Sequence, residues 1–276
     1  MPAAAITQDL HFQHAPNPAH PVAVHIPAAF DQTRPFLLCV FMHGLTTTVP
    51  FEAHIQAAIG QMAAATTNTI LVAPRFDGNA EGAFAATMGF SAFVAELAQK
   101  LPPLLIGLSP ADAQAVGTAA AEKARIVLVA FSGSWRPCAA ILDGLRQLPA
   151  GATLPKRLVA IELLDSVYGD IPRSRRAVIA WMTARGGDTV LISLFNPTTG
   201  LHAKAGNTKL LAALRPHDPV HDPSTWPTLA NPLSAGSIAF FAVSTDHLDI
   251  PADGPPAHPI ASLLNRLADR TAIPTS

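Results

Sequence analysis

The stretch Ala124-Arg125-Ile126-Val127-Leu128-Val129-Ala130-Phe131-Ser132-Gly133-Ser134-Trp135 decides how this chain is read. Five consecutive apolar residues, Ile126 to Ala130, include three that are Val or Ile, the composition of a strand covered on both faces. The run leads into Ser132, with Ala130 two residues before it, Gly133 directly after it and Ser134 two residues after it. Small side chains at these places let the backbone turn sharply, so that a following helix can pack back against the strand. Such a turn presents the Ser132 hydroxyl above the edge of a sheet.

On either side of this stretch, strand and helix patterns alternate. Apolar runs predict strands over 36–42 and 69–73 before it, and over 157–164, 189–195 and 238–243 after it. Helices are expected over 50–65, 89–101, 173–185, 203–214 and 259–270, and directly after the serine turn as far as 148. A further helix starts at Ser109-Pro110, with Ser109 as N-cap, Pro110 in the first helical position and Asp112 favouring the positive end. Pro137 fits the first turn of the helix after Ser132, where its missing N–H costs little. The Pro- and His-rich start, 1–35, carries the short alternating piece 22–26, which suggests an antiparallel edge. Strands alternating with helices imply an α/β fold, a mainly parallel central sheet with helices on both faces.

Composition sets bounds on function. With 276 residues and 49% hydrophobic content the chain can bury a full core, and its length fits one α/β domain over 1–276 better than two. A formal charge of −1 with 13% charged residues leaves no electrostatic footprint for nucleic acid or an anionic membrane. The apolar run 36–42 is far too short to span a bilayer. The first residues lack the basic and apolar regions of a signal peptide, so a cytoplasmic location is the expectation. Cys39 and Cys138 lack motif spacing and read as buried small hydrophobes, neither a disulfide framework nor a metal site. His217 and His221 recur four apart beside acids, but Pro219 and Pro223 disfavour the helix that would align them, so Asp-Pro turns are expected and no metal site.

Ala130-Phe131-Ser132-Gly133-Ser134 resembles the nucleophile elbow of the α/β-hydrolase superfamily, G-x-S-x-G, with both outer glycines replaced by other small residues. In a parallel sheet, ligands bind beyond the C-terminal strand ends. The polar residues expected there are His43 with Gly44, Ser132, Asp165, Asn196 and Asp246-His247. A serine hydroxyl needs a histidine to accept its proton, and that histidine needs an acid to fix its tautomer. The order Ser132, Asp165, His247 matches the serine–acid–histidine order of the superfamily. The superfamily's usual acid position follows the next strand, where this chain reads Leu194-Phe195-Asn196-Pro197 with no carboxylate. Some members of the superfamily carry the acid one strand earlier, and the resemblance implies that role for Asp165, with Asp170 as its rival and a turn-capping role for Asp165 as the alternative. Asn196 could orient an imidazole but would stabilise an imidazolium less well than a carboxylate.

The resemblance implies an oxyanion hole made of the Gly133 N–H and a second donor from the loop after His43, Leu45 first, with Gly44 or Thr46 as alternatives. Trp135, Tyr168 and Trp181 are candidates to line an acyl pocket or, equally, to pack in the core, and Arg136 to bind a substrate carboxylate or form a structural ion pair. Segments 75–89 and 215–232 are candidate covering elements. The expected activity is hydrolysis of a small or medium carboxylic ester by a serine hydrolase through an acyl-enzyme, with no metal or organic cofactor. Amidase, peptidase or acyltransferase chemistry, and a silent binding protein on the same scaffold, are the alternatives. The expected partner is a small-molecule ester, with oligomeric state left open.

Overall fold

The computed structural model describes residues 4–44, 50–76, 84, 88–167, 172–185, 187–198, 201–215, 220–221, 233, 236–247, 249–253 and 258–267. Its strands are β1 (Ile6–Leu10), β2 (Val22–Ile26), β3 (Leu37–Met42), β4 (Thr69–Pro74), β5 (Arg125–Phe131), β6 (Leu158–Leu164), β7 (Val190–Phe195) and β8 (Ile238–Ala242). They form one sheet in the order β1-β2-β4-β3-β5-β6-β7-β8. The pairs β1–β2 and β2–β4 are antiparallel and all others parallel. Strand β1 reads Ile-Thr-Gln-Asp-Leu and buries neither face fully, as an edge strand can.

Nine α-helices are described, seven between these strands and two after the last: α1 (Phe51–Met62), α2 (Gly89–Lys100), α3 (Pro110–Glu122), α4 (Trp135–Gln147), α5 (Leu154–Arg157), α6 (Pro172–Arg185), α7 (Leu201–Leu214), α8 (Ile250–Asp253) and α9 (Pro259–Arg266). Alternate residues of the central strands enter opposite layers. Leu38, Val40 and Met42 of β3, with Ile126, Leu128 and Ala130 of β5, pack against α2, α3, α4 and α6. Leu37, Cys39 and Phe41, with Val127, Val129 and Phe131, face α1, α8 and α9. Burial on both sides explains why β3 and β5 read as unbroken apolar runs. Both cysteines are free and buried, and burial pushes the Cys138 thiol up to about 12.

The fully buried Arg157 ties the start of β6 to the end of α3. Its guanidinium donates to the carbonyls of Ala120 (2.5 Å), Ala121 and Ala124 (2.8 Å). The first two are carbonyls that the C-terminus of α3 leaves without intrahelical partners, and the third lies two residues beyond its end. Burial lowers the Arg157 pKa to about 10, and the close charge of Arg125 adds to that.

The connections set the place of the site. After β3 the chain crosses to β4 on one side, whereas after β5 it crosses to β6 on the other. The C-terminal ends of β3 and β5 therefore open a crevice, the general ligand position of such sheets. Met42 pairs with Ala130 in register, so His43-Gly44 and Ser132-Gly133 leave the sheet side by side. Of the candidate covering elements, 77–83, 85–87, 216–219 and 222–232 lie outside the described residues.

Candidate active site

Ser132 follows the last residue of β5 and opens a single 3-10 turn, Ser132–Ser134, that runs into α4. Its φ is +52°, a left-handed conformation that a residue with a Cβ adopts only at some cost. Two features hold it there. The Ser134 hydroxyl donates back to the carbonyl of Phe131 at 2.8 Å, closing the turn. On the neighbouring strand end, Gly44 lies so close that a Cβ there would sit 2.9 Å from the Ser132 Cβ and 3.0 Å from the Phe131 ring. Glycine at 44 is thus required by close approach.

Asp165 leaves β6 with φ +48° and is 1% exposed. Its N–H donates to Leu194 O at 2.7 Å, and its Oδ1 accepts from the Asn196 N–H at 3.4 Å. His247 lies in the loop between β8 and α8, where the Asp246 carbonyl accepts the N–H groups of Asp249 and Ile250. The imidazole connects the other two groups, with Nδ1 2.6 Å from Asp165 Oδ2 and Nε2 2.7 Å from Ser132 Oγ. A carboxylate accepts only, so Nδ1 carries the proton and Nε2 is free to accept from the Ser132 hydroxyl. This arrangement can draw the serine proton onto the ring and hold the resulting imidazolium beside a carboxylate.

Aromatic rings cluster at this edge of the sheet. The Phe131 ring lies 5.1 Å from the His247 ring and 5.3 Å from that of His54 on α1. His43 stacks on Phe76 at 4.2 Å and meets Phe51 edge-on at 4.8 Å. Its Nε2 accepts the Phe76 N–H at 3.2 Å, leaving Nδ1 to donate to Gly44 O at 2.6 Å. His43 thus anchors the start of the loop after β3. His54 is 3% exposed with neither ring nitrogen hydrogen-bonded; burial, and secondarily the charge of His247, lower its pKa. Sequence reading passed over His54 because it occupies one apolar-face position of an ordinary amphipathic helix.

The structure brings Ser132, Asp165 and His247 together, with Gly44 and Gly133 buried beside Ser132. Leu45, Thr46, Tyr168 and Asp170 lie outside the described residues. Trp135 is buried at the start of α4, and the Arg136 guanidinium lies 5.0 Å over its ring. Trp181 does not line this crevice. It is fully buried on α6, and its indole N–H donates to Thr189 Oγ1 just before β7, at the opposite end of the sheet. Its position on an apolar helix face made it core. His221 is a one-residue bridge beside Phe241, while residue 217 lies outside the described residues. No cluster of three or more His, Cys, Asp or Glu suited to a metal occurs among the described residues. No described helix is long and apolar enough to cross a membrane.

Glu162 lies three residues before Asp165 on β6, between Val129 and Ile192 in register. It is fully buried and neither carboxyl oxygen has a hydrogen-bond partner, and burial pushes its pKa up to about 8.

No protein-family model matches the sequence, and no curated protein matches it. Solved structures do share its architecture. A feruloyl esterase module from Clostridium thermocellum, solved with sinapinate, superposes with a TM-score of 0.52 at 12% identity, covering 95% of this chain and 87% of that one. An inhibited esterase B from Lactobacillus rhamnosis gives 0.52 at 10% identity, covering 98% and 87%. With the strand order and crossover pattern above, this likeness gives the chain the α/β-hydrolase fold.

Proposed function

We propose that this protein is a serine hydrolase acting on carboxylic esters of small or medium size. One observation carries the reading: the hydrogen-bonded path from Ser132 Oγ through both His247 nitrogens to Asp165 Oδ2, at 2.7 and 2.6 Å. Fold alone does not give chemistry, since this scaffold hosts many reactions. The described esterases sharing the architecture make ester hydrolysis the reaction to test first.

Ser132 Oγ attacks the ester carbonyl as His247 Nε2 takes its proton, forming a tetrahedral oxyanion. The Gly133 N–H, at the N-terminal approach to α4, and a donor from the loop after His43 receive that charge. The proton passes from His247 to the leaving alkoxide, the C–O bond breaks and an alcohol departs. Water then gives its proton to His247 and attacks the acyl-enzyme, and collapse releases the acid and restores the Ser132 hydroxyl. Asp165 holds the ring in the tautomer both halves require.

The test is a panel of p-nitrophenyl esters of graded acyl length, with aryl-acid esters and matched anilides, assayed on wild type and Ser132→Ala. Ester turnover is expected, with kcat lower by about 10⁴-fold or more in the variant. Wild type inert toward the panel and toward a fluorophosphonate probe would remove the reading. Turnover of anilides over esters would move it to amide chemistry.

A further inference from the structure

We propose that Asn196 is a positioning residue that couples Asp165, through its backbone N–H, to the His247 loop, through its buried side chain. The inference rests on the roles given above to Ser132, His247 and Asp165. Asn196 directly follows β7 and is 1% exposed. Its backbone N–H donates to Asp165 Oδ1 at 3.4 Å. Its side-chain nitrogen donates 2.7 Å to the carbonyl of Thr245, two residues before His247. Its Oδ1 accepts both the Thr198 N–H at 2.8 Å and the Thr198 hydroxyl at 2.7 Å.

These contacts leave no freedom in the amide. Two donors converge on Oδ1 and an acceptor faces Nδ2, so only one orientation satisfies them all. The Thr198 bonds alone describe an ordinary turn. The bond to Thr245 does something else, because it reaches a different loop 49 residues away, at the end of the adjacent strand. A backbone bond from Val243 N–H to Phe195 O, at 2.9 Å, closes the same seam. The acid leaves β6, the base follows β8, and β7 lies between them. Asn196, at the end of that middle strand, touches both sides.

Aspartate at 196 is nearly isosteric and keeps the Thr198 contacts. It replaces the donor facing Thr245 O by an acceptor and adds a negative charge beside Asp165. The His247 loop would then shift, with the 2.6 and 2.7 Å contacts of the ring, while the fold keeps its shape. Misplacement by about an ångström can cost about 100-fold in rate.

The experiment measures kcat, KM, thermal midpoint and fluorophosphonate labelling rate for wild type, Asn196→Asp, Asn196→Ala, Thr198→Val and Ser132→Ala. For both Asn196 variants kcat is expected to fall about 10- to 100-fold with KM within about twofold, and labelling to slow in parallel. Thr198→Val, which keeps the Thr245 bond and loosens only the anchor, is expected to cost about threefold in kcat. It keeps the inference open to refutation should an Asn196 variant not fold. Wild-type kcat in folded Asn196→Asp, or a rise in KM with unchanged kcat, overturns the inference while an inactive Ser132→Ala leaves the triad reading standing. An active Ser132→Ala removes that reading and the inference with it.

Discussion

Strand β6 and the residue that directly follows it carry two buried carboxyl groups, Glu162 and Asp165, whose surroundings could hardly differ more. Asp165 stands at the C-terminal edge of the sheet, with His247 Nδ1 and the Asn196 N–H on its two oxygens. Glu162 stands mid-strand on the face shared with Ala160 and Leu164, toward the layer of α1, α8 and α9, with no partner on either oxygen. Burial alone drives a carboxyl toward its neutral form, whereas burial with donors makes it a usable charge. The strand edge supplies donors because chain ends and loops converge there. Mid-strand, the backbone N–H groups are already committed to the sheet.

Asp165→Asn is the strongest attack on this contrast. The amide keeps the shape but can present a donor to Nδ1, favouring the wrong imidazole tautomer. We expect kcat to fall about 10³- to 10⁴-fold with little change in thermal midpoint. A fully active variant would show that the edge carboxylate has no special role.

Glu162→Met should do the reverse, raising stability and leaving kcat within about twofold. The folded pKa of Glu162, about 8, lies above the unfolded value near 4.5, so between these limits the folded state holds the extra proton. Wild-type stability therefore falls as pH rises from about 4.5 to 8 and levels off above that, a loss of about 3 kcal/mol at pH 7 from this group. The variant should lose that slope. Urea titrations at pH 5, 6.5 and 8 check it, and an unchanged slope would mean that Glu162 has partners in solution.

Smaller effects sharpen the edge side of the comparison. Gly44→Ala drives a methyl into the Ser132 Cβ and is expected to cost about 1–3 kcal/mol of stability and to lower kcat more than KM changes. Ser134→Ala, which removes the bond closing the Ser132 turn, should cost about 1 kcal/mol by thermal or chemical unfolding, with a modest fall in kcat.

Much of the edge was legible beforehand. Ser132 announced itself by a buried strand running into small residues, and Asp165 and His247 by their places after later strands. Arg157 and Glu162 were not legible in this way. One looks like a surface cation and the other like a polar interruption in a strand. Only the packing of α3 against the start of β6, and of the α1 and α9 layer over its middle, gives them their environments. Trp181 shows what sequence left open: an aromatic residue that could line a pocket or pack in the core belongs to the core, since its indole finds its acceptor at the far end of β7.

By itself the sequence determined the periodic elements, their alternation and the sharp turn at Ser132. Those follow from local rules: apolar runs bury strands, small residues permit tight turns, and prolines and caps start helices. The tertiary structure decided which of these residues meet. Asp165 and His247 are 82 residues apart and Ser132 and His247 are 115 apart, and no local pattern spans such distances. Their meeting depends on β6, β7 and β8 lying parallel in register, with Asn196 between them donating its backbone N–H to the acid that follows β6 and its side-chain amide to the loop that follows β8. Strand register is a property of the whole sheet, which is why three polar residues readable one by one become a site only in the fold.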